Sequence, residues 1–331
     1  MEVVRLASNL VGTINFNNPV QDLLLKVEEK MRSQADQHHP DLAIALHHLL
    51  SSGGKRIRPA FTLLCGGMMK SDRESLVTLA AAIELLHTAT LVHDDLIDGS
   101  LLRRGIATLN SQWSPAATVL TGDFIFARAA KLASETNSVA VMHIFADTLA
   151  TIVNGEITQL FDGHGIASRE NYLKRIYAKT ASMFELAAIA SAILSPFEKR
   201  FIDQIQSFGK NIGMAFQIVD DVIDFIGDET KVGKPIGSDL RQGLLTLPVF
   251  YYIEQKPSNF DFEGIILNGL ESDEKITELV GLVRESGAIE KSMEEARRYI
   301  QNSLIVLDHL PSGIENDSLH ELALYIVDRK I

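Results

Sequence analysis

The stretch LVTLAAAIELLHTATLVHDDLID, from Leu76 to Asp98, decides the fold of this chain. It is long and apolar nearly all round, which predicts a helix in the centre of a large bundle rather than an amphipathic surface helix. Its last turn nevertheless carries three carboxyl groups, those of Asp94, Asp95 and Asp98. The same stretch therefore predicts both the architecture and the position of a functional site.

Helical periodicity continues on both sides of this stretch. VQDLLLKVEEKMRSQ, Val20 to Gln34, repeats apolar residues at helical spacings, and similar segments follow to the C-terminus. Alternating strand patterns are hard to find, and no low-complexity linker divides the chain. The sequence predicts an all-α fold in a single domain over residues 1–331, with residues 1–20 as an N-terminal extension.

Composition narrows the classes of function. The chain has 331 residues, 46% of them hydrophobic, and a formal net charge of −12, which argues against a nucleic-acid partner. Cys65 is its single cysteine, so no internal disulfide forms and a cytoplasmic location is expected. We predict no stable membrane insertion.

The carboxylates of Asp94, Asp95 and Asp98, the first acidic cluster, should converge because residues at i, i+1 and i+4 of a helix lie close together. Oxygen-only ligands with open positions suit Mg²⁺ that is also bound by substrate phosphates. The alternative is a solvated helix end that binds nothing. Because the rest of this helix is predicted to be buried, we favour the metal site.

The same spacing recurs in QIVDDVIDFIGD, which contains Asp220, Asp221 and Asp224, the second acidic cluster. Two identical triplets, each ending a long apolar helix, are hard to explain by solvation alone. If the two helices face each other, their carboxylates line the mouth of one cavity. Such a mouth could hold several Mg²⁺ ions and, through them, a diphosphate.

Positive side chains stand beside both clusters in the sequence. The segment GGKRIRP, residues 53–59, begins with two glycines that leave backbone N–H groups open to an anion. Taken singly, each cation is more often a surface charge than a ligand. Their placement favours an anion-binding role for Lys55, Arg58, Arg104, Lys179 and Lys234.

These motifs, in this order, resemble those of the trans-isoprenyl diphosphate synthases, the polyprenyl synthetase family, of medium- or long-chain type. The resemblance runs from about Leu23 to the C-terminus. It rests on GGKRIRP, HTATLVHDDLIDGSLLRRG, GDFIFARA, YAKTAS and FQIVDDVIDFIGDETKVGKPIGSDLRQGLLTLP. It implies one all-α bundle around a central cavity, usually dimeric, in which Mg²⁺ (about three ions per active site) supports condensation of isopentenyl diphosphate with an allylic diphosphate.

The resemblance also implies roles for individual residues. The residues that would bind Mg²⁺ and the allylic diphosphate are Asp94, Asp95, Asp98, Asp220, Asp221 and Asp224. Those that would contact this diphosphate or steady the metals are Arg103, Lys179, Gln217 and Lys234. Those that match the isopentenyl diphosphate site are Gly54, Lys55, Arg58, His87 and Arg104. Thr180 matches a residue whose carbonyl and hydroxyl groups face the reacting carbons.

One position departs from the family pattern. Many members carry a lysine where the segment GSDLRQGLLTLP of this chain has Leu244. A direct cation to the allylic diphosphate is therefore missing at this position. The departure implies weaker diphosphate binding, or help from another subunit.

Product length should depend on the helix that precedes the first acidic cluster. In the family, aromatic groups four or five residues before the cluster close the pocket early, whereas this chain has the small Thr90 and Ala89 there. Leu86, Ile83, or side chains of neighbouring helices such as Phe124 and Phe126, would close the pocket further down. We predict an all-trans product of C25 or longer, with geranylgeranyl diphosphate as the alternative.

Two other classes of protein share parts of this pattern. A class I terpene cyclase would carry an Asn/Ser/Glu metal motif in place of the second acidic cluster and needs no isopentenyl site. A subunit that has lost catalysis would usually lose aspartates, and both clusters are intact. We expect a homodimer, while a hetero-oligomer remains the alternative.

Overall fold

The computed structural model describes residues 15–35, 39–51, 54–103, 105–162, 168–197, 199–227, 236–255 and 273–329. Arg104 and Lys234, both expected at the substrate site, lie outside these ranges. Within them, the β-structure is one antiparallel hairpin that pairs Leu102–Arg103 with Ile106–Ala107. The predicted all-α class is confirmed.

Helices follow one another along the whole described chain. Those of the first half are α1 (Gln21–Arg32), α2 (Pro40–Ser51), α3 (Ile57–Met68), α4 (Arg73–Ile97), α5 (Leu109–Gln112), α6 (Pro115–Glu135) and α7 (Val139–Asp162). Those of the second half are α8 (Arg169–Ile176), α9 (Ser182–Ile193), α10 (Lys199–Ile226), α11 (Ser238–Arg241), α12 (Leu247–Gln255), α13 (Asp273–Glu285), α14 (Ala288–Leu307) and α15 (Ile314–Asp328). Short 3₁₀ helices, Asn15–Val20 and Ser33–Ala35, flank α1, and a π-helical segment, Tyr177–Ala181, joins α8 to α9.

Helix α4 is the predicted central helix. It begins at Arg73, three residues before the predicted start, because the carboxylate of Asp72 caps it by accepting a hydrogen bond from the N–H of Ser75 at 2.9 Å. Side chains on all of its faces are buried, and α6 packs along its length. The helix ends at Ile97 with Asp98 as its C-cap residue, and Gly99 follows with φ +62°.

The second half of the bundle brings α10 against the π-helical segment. A Cβ atom on Gly213 would lie 2.4 Å from the Cα of Ala181, so only glycine permits this approach. One turn earlier, a Cβ on Gly209 would lie 2.6 Å from the carbonyl oxygen of Phe184. This contact of two backbones places the second acidic cluster, at the end of α10, beside Tyr177–Ala181.

The two ends of the described chain meet in the core. Phe16 and Val20, in the predicted N-terminal extension, are buried, and the ring of Phe16 lies 5.5 Å from that of Tyr325 in α15. Buried residues from Phe16 to Ile326 belong to one hydrophobic cluster. Helix α15 is therefore held beside the N-terminal segment and α3.

Two helical stretches, Arg73–Ile97 and Arg169–Ile193, have the length and apolar composition of a membrane span. Their most apolar windows are 72% and 78% buried within the fold. They are therefore core helices of the bundle, in agreement with the apolar character read from the sequence of α4.

Candidate active site

The first acidic cluster begins with Asp94, which faces a half-buried lysine. The ammonium of Lys179 lies 3.3 Å from Asp94 Oδ2 and donates a hydrogen bond to Glu156 Oε1 at 3.0 Å. Burial raises the pKa of Asp94 although Lys179 acts against the shift. Burial lowers the pKa of Lys179, but the two carboxylates outweigh it and the pKa is raised overall. The lysine is therefore a fixed positive charge at the end of α4.

Asp95 is held by the hairpin that follows α4. Arg103 Nε donates to both carboxylate oxygens of Asp95, at 2.8 and 2.9 Å, and a terminal nitrogen of the same guanidinium lies 2.7 Å from Oδ1. Gly99 and Gly105, with φ of +62° and +76°, permit the turns that bring Arg103 back. Asp98, the exposed C-cap residue, completes the cluster at the mouth.

The π-helical segment connects the two acidic clusters. Lys179 reaches Asp94, while the hydroxyl of the next residue, Thr180, donates to Gln217 Oε1 at 2.5 Å. Gln217 Nε2 in turn donates to Asp221 Oδ1 at 2.8 Å. The structure thus brings the ends of α4 and α10 to one place, as the resemblance implies, with consecutive residues of a π-helix between them. Such segments are frequent at functional sites.

Asp221 is buried and is bound by neutral donors. The hydroxyl of Tyr172 donates to Asp221 Oδ2 at 2.7 Å, opposite the bond from Gln217. Burial raises the pKa of Asp221, the charge of Asp239 raises it further, and the hydrogen bonds from Gln217 and Tyr172 act against the shift. This carboxylate is oriented by its donors but, unlike Asp94 and Asp95, it has no ion pair among the described residues.

Asp224 orders the chain beyond the second cluster. Its two carboxylate oxygens accept hydrogen bonds from the backbone N–H groups of Ser238 and Asp239, at 3.1 and 3.2 Å. Its own carbonyl accepts from the N–H of Gly237 at 2.9 Å. The side chain therefore acts at the N-terminus of α11 in the way a helix cap does.

Asp220 faces away from this network, toward the C-terminal helix. A terminal nitrogen of Arg329 lies 2.8 Å from Asp220 Oδ1, and the same nitrogen donates to the carbonyl of Phe216 at 2.7 Å. The guanidinium carbon stacks 4.1 Å from the centre of the Phe216 ring. The last described residue of the chain is therefore bound to the second acidic cluster.

The GGKRIRP loop is fixed by its middle arginine. Arg56 has φ 48° and ψ 37°, a left-handed conformation unusual for a residue other than glycine. Its guanidinium pairs with Glu28 and with Glu84 Oε1, the latter at 3.0 Å, and donates to the carbonyl of Leu50 at 3.1 Å. These contacts hold the loop against α1 and α4 and start α3 with Lys55 and Arg58 on either side of Arg56.

The predicted isopentenyl diphosphate cations approach the same C-terminal region. The ammonium of Lys55 lies 5.7 Å from the ring centre of Tyr325, and the guanidinium carbon of Arg58 lies 5.8 Å from that of Phe216. Gly54 and Lys55 are exposed at the loop, and His87 is half-buried on α4, two turns before the first acidic cluster. Because Phe216 also stacks on Arg329, the basic loop and the second acidic cluster flank one aromatic ring.

The residues expected to set product length lie inside the bundle. Leu86 and Ala89 are fully buried, and Thr90 is 9% exposed. The Thr90 hydroxyl donates to the carbonyl of His87 at 2.8 Å, which leaves its methyl group to the interior. No aromatic side chain stands at these positions of α4, as the sequence predicts.

An open cavity of about 380 Å³ lies between α6 and the start of α2. Leu120, Thr121 and Phe124 form its α6 side, and Leu42 and Trp113 lie opposite. Leu86, Ala89 and Thr90 are not among its lining residues. The cavity is thus separate from the positions on α4 to which sequence reasoning attributes product length.

Several residues that the structure places at the site are not identified by the sequence. Glu156, Tyr172 and Arg329 sit on helices far from either acidic cluster in the sequence. Each reaches the site only through tertiary packing, so spacing carried no signal for them. The available signal for Tyr172 was its position seven residues before Lys179, two helical turns away on the same face.

The donor set fits Mg²⁺ better than a metal enclosed by protein ligands. Across the described ranges, no group of three histidine, cysteine or carboxylate side chains is arranged to hold a metal ion. Mg²⁺ bound through one or two carboxylates together with substrate phosphates needs no such enclosure. The oxygen-only side chains of both acidic clusters meet that requirement.

Comparison with known proteins gives consistent matches over most of the chain. The sequence model of the family described as polyprenyl synthetase matches residues 39–283. A heptaprenyl diphosphate synthase component 2 from Geobacillus stearothermophilus is 37% identical, over 94% of this chain and 97% of the relative. An octaprenyl diphosphate synthase from Haemophilus influenzae is 33% identical, over 92% and 93% of the two chains.

Solved structures match equally well. A polyprenyl synthase from Caulobacter crescentus, complexed with calcium and isoprenyl diphosphate, superimposes with a TM-score of 0.91 at 32% identity, covering 97% of this chain and 99% of that one. A heptaprenyl diphosphate synthase from Staphylococcus aureus superimposes with a TM-score of 0.87 at 34% identity, covering 95% and 98%.

Proposed function

Because this chain belongs to the polyprenyl synthetase family, we propose that it condenses isopentenyl diphosphate with an allylic diphosphate to make a long all-trans polyprenyl diphosphate. It is an enzyme of the trans-prenyltransferase type. The observation that carries the assignment of the site is the convergence of the ends of α4 and α10 on Tyr177–Ala181. The alternatives are a geranylgeranyl product and a subunit that needs a partner for full activity.

The allylic diphosphate would be bound at the two acidic clusters through Mg²⁺. The residues that would hold the metal are Asp94, Asp95, Asp98, Asp220, Asp221 and Asp224. Bound there, Mg²⁺ would neutralise the charge that develops on the leaving diphosphate. A structure of the Caulobacter crescentus relative holds calcium and isoprenyl diphosphate, which supports a divalent metal beside a diphosphate at this kind of site.

Ionisation is the difficult step, and the fixed cations of the chain favour it. When the carbon–oxygen bond of the allylic substrate breaks, both electrons leave with the diphosphate and an allylic cation remains. Lys179 and Arg103 are already ordered beside Asp94 and Asp95, so they can stabilise the leaving group without reorganising. Thr180, next to Lys179, offers its hydroxyl and carbonyl oxygens to the cationic carbons.

Carbon–carbon bond formation follows at the second substrate. The double bond of isopentenyl diphosphate attacks C1 of the allylic cation, and loss of a proton restores a double bond in a product five carbons longer. Lys55, Arg58, Arg104, His87 and Gly54 would bind the second diphosphate. No side-chain nucleophile is required, and the departing diphosphate is the proposed proton acceptor.

A product assay tests this function directly. The purified chain is incubated with Mg²⁺, isopentenyl diphosphate and farnesyl diphosphate, and the product alcohols are sized. We expect C25 or longer. Failure to elongate the C15 primer, while geranyl diphosphate is still elongated to C15, contradicts the small-residue argument, and C20 alone selects the geranylgeranyl alternative. If the chain alone is inactive but gains activity with a second, different subunit, the partner-dependent alternative holds, which the name component 2 of the Geobacillus relative suggests.

Ala89→Phe tests the role of α4 in product length. A phenylalanine at this fully buried position would fill the interior one turn before the first acidic cluster, so the product should become shorter. Ala187→Phe, at a fully buried alanine of α9, is the control for overpacking alone. Unchanged product length in Ala89→Phe would remove this residue from the pocket.

We propose further that the enzyme works as a homodimer through α7. Val153, Ile157, Leu160 and Phe161 form an apolar stripe on this helix and are 43–82% exposed. A second copy of the chain would bury this stripe. Light scattering of Ile157→Lys should then show a monomer, while Ile305→Lys, at a similarly exposed isoleucine of α14, should leave the dimer intact. A monomeric wild-type protein would overturn the dimer without affecting the proposed reaction.

A further inference from the structure

Arg175, in the last turn of α8, lies beside the second acidic cluster without being one of its expected ligands. Its guanidinium carbon is 5.6 Å from the ring centre of Tyr172, whose hydroxyl binds Asp221. One of its terminal nitrogens donates to the carbonyl of Leu245 at 2.7 Å. The side chain thus spans the space between Tyr172 and the loop that contains Leu244.

The charge of Arg175 is not neutralised by a neighbouring acid. Lys179, Arg103 and Arg329 each form an ion pair with an aspartate of the clusters, whereas Arg175 forms none within the described ranges. A guanidinium has five N–H donors, and the one contact to a carbonyl leaves most of them for a ligand. Arginine also suits phosphate oxygens because its planar fork can bind two at once.

We propose that Arg175 supplies, from α8, the cation for the allylic diphosphate that Leu244 does not provide. This inference rests on the proposed function, and it accounts for the missing lysine at the position of Leu244. Leu245, which follows directly, is the residue whose carbonyl the guanidinium binds. The positive charge is thus restored at the same loop by a side chain from another helix.

The competing explanation is a purely structural role. In that case Arg175 acts only by fixing the loop through its hydrogen bond to the carbonyl of Leu245. A charge introduced at Leu244 would not replace that hydrogen bond, but it would replace a missing cation. The two roles therefore differ in their response to Leu244→Lys.

The experiment compares Arg175→Gln, Arg175→Lys, Leu244→Lys and the double variant Arg175→Gln/Leu244→Lys. Lys174→Gln is the control, because this neighbouring lysine is exposed and pairs with Glu170. Binding of a non-hydrolysable thio analogue of farnesyl diphosphate with Mg²⁺ is measured by calorimetry, and the Michaelis constant for farnesyl diphosphate by product assay. Circular dichroism and thermal unfolding report folding.

We expect Arg175→Gln to weaken analogue binding and raise the Michaelis constant by about tenfold or more, as for loss of a charged hydrogen bond. Leu244→Lys should recover most of that loss in the double variant, and Lys174→Gln should bind as wild type does. If the double variant does not fold, Arg175→Lys tests the role of the charge instead. Because this variant retains the positive charge, its affinity for the analogue should stay within about threefold of wild type.

Either of two results overturns the proposal. The first is unchanged analogue binding in Arg175→Gln. The second is weakened binding together with a lowered unfolding temperature, where neither lysine variant recovers the binding; this result would mean that Arg175 only fixes the loop. Wild-type protein that makes no prenyl product and binds no analogue would instead refute the proposed function, so the two failures are distinguishable.

Discussion

The two acidic clusters have the same spacing but different surroundings. In the first, the carboxylates of Asp94 and Asp95 face the cations Lys179 and Arg103. In the second, Asp221 receives neutral donors, Gln217 and the hydroxyl of Tyr172, and Asp224 receives backbone N–H groups. Asp220 of the second cluster forms an ion pair with Arg329, which follows α15.

This difference shows that an identical motif does not fix an identical electrostatic environment. Cations in place at the first cluster are suited to a leaving diphosphate, because they need no rearrangement when its charge develops. Neutral donors at the second cluster orient carboxylates without cancelling their charge. We infer that the first cluster contributes its cations to diphosphate binding, while the second offers the metal Asp221, which has no ion pair among the described residues.

Removal of one carboxylate from either cluster should give the largest effect. Asp94→Asn and Asp221→Asn should each lower kcat/KM by about a thousandfold, because metal-assisted stabilisation of the leaving diphosphate is lost. The measurement is steady-state product formation at saturating Mg²⁺, with Asp147→Asn at an exposed position of α7 as the control. An unchanged kcat/KM in Asp221→Asn would mean that metal binding depends on the first cluster alone, so the two clusters would not share the metal.

Loss of the shared cation should have the next largest effect. Lys179→Gln removes the charge between Asp94 and Glu156 and should lower kcat/KM by about a hundredfold, with most of the change in kcat if the lysine acts on the leaving group. Lys131→Gln, at an exposed lysine of α6, is the matched control. A change confined to KM would mean that Lys179 contributes to ground-state binding alone.

The long-range organisation of the site could be predicted from sequence because it depends on helix periodicity. The apolar character of Leu76–Asp98 predicted a central helix, which the burial of α4 confirms. The i, i+1, i+4 spacing predicted converging carboxylates, but in the second cluster Asp220 and Asp221 have different partners, Arg329 and Tyr172. The end of α4 was placed to within one residue. Its start was not, because Asp72 caps the helix from a position outside the apolar pattern.

The partners of the carboxylates could not be predicted. Tyr172 and Arg329 reach Asp221 and Asp220 through contacts between helices that are distant in sequence, so no local pattern identifies them. Tertiary packing decided these features.

Arg329 offers a smaller test of how the second cluster is held. Arg329→Gln removes the ion pair to Asp220 and the stacking on Phe216, so Asp220 loses its fixed orientation. We expect kcat/KM to fall about tenfold and the Mg²⁺ concentration for half-maximal activity to rise. Arg297→Gln, an exposed arginine of α14, should change neither quantity. Wild-type values for Arg329→Gln would show that its pairing with Asp220 is dispensable once metal and substrate bind.

The smallest expected effect concerns stability, and it separates the clusters most directly. Without metal, Asp95→Asn should lower the free energy of unfolding by about 1 kcal/mol, because Arg103 loses its charged partner. Asp221→Asn should be neutral or stabilising. Burial raises the pKa of the Asp221 carboxyl group, and the charge of Asp239 raises it further. Between the ordinary carboxyl pKa and this raised pKa, the folded state binds the carboxyl proton more tightly than the unfolded chain does. The free energy of unfolding therefore falls as the pH rises through this window.

Urea unfolding at pH 7.5 with a chelator measures both variants against wild type. At this pH the unfolded chain has an ionised Asp221, whereas in the folded state the pKa of this group is raised to about 8, so folding costs free energy that asparagine does not require. Equal destabilisation by the two substitutions would mean that neutral donors stabilise a buried carboxyl group as well as a guanidinium does, and the contrast between the clusters would lose its physical basis. Opposite signs would show that the surroundings of Asp221 disfavour its ionised form in the absence of metal, as expected of a carboxyl group whose charge a bound cation is to compensate.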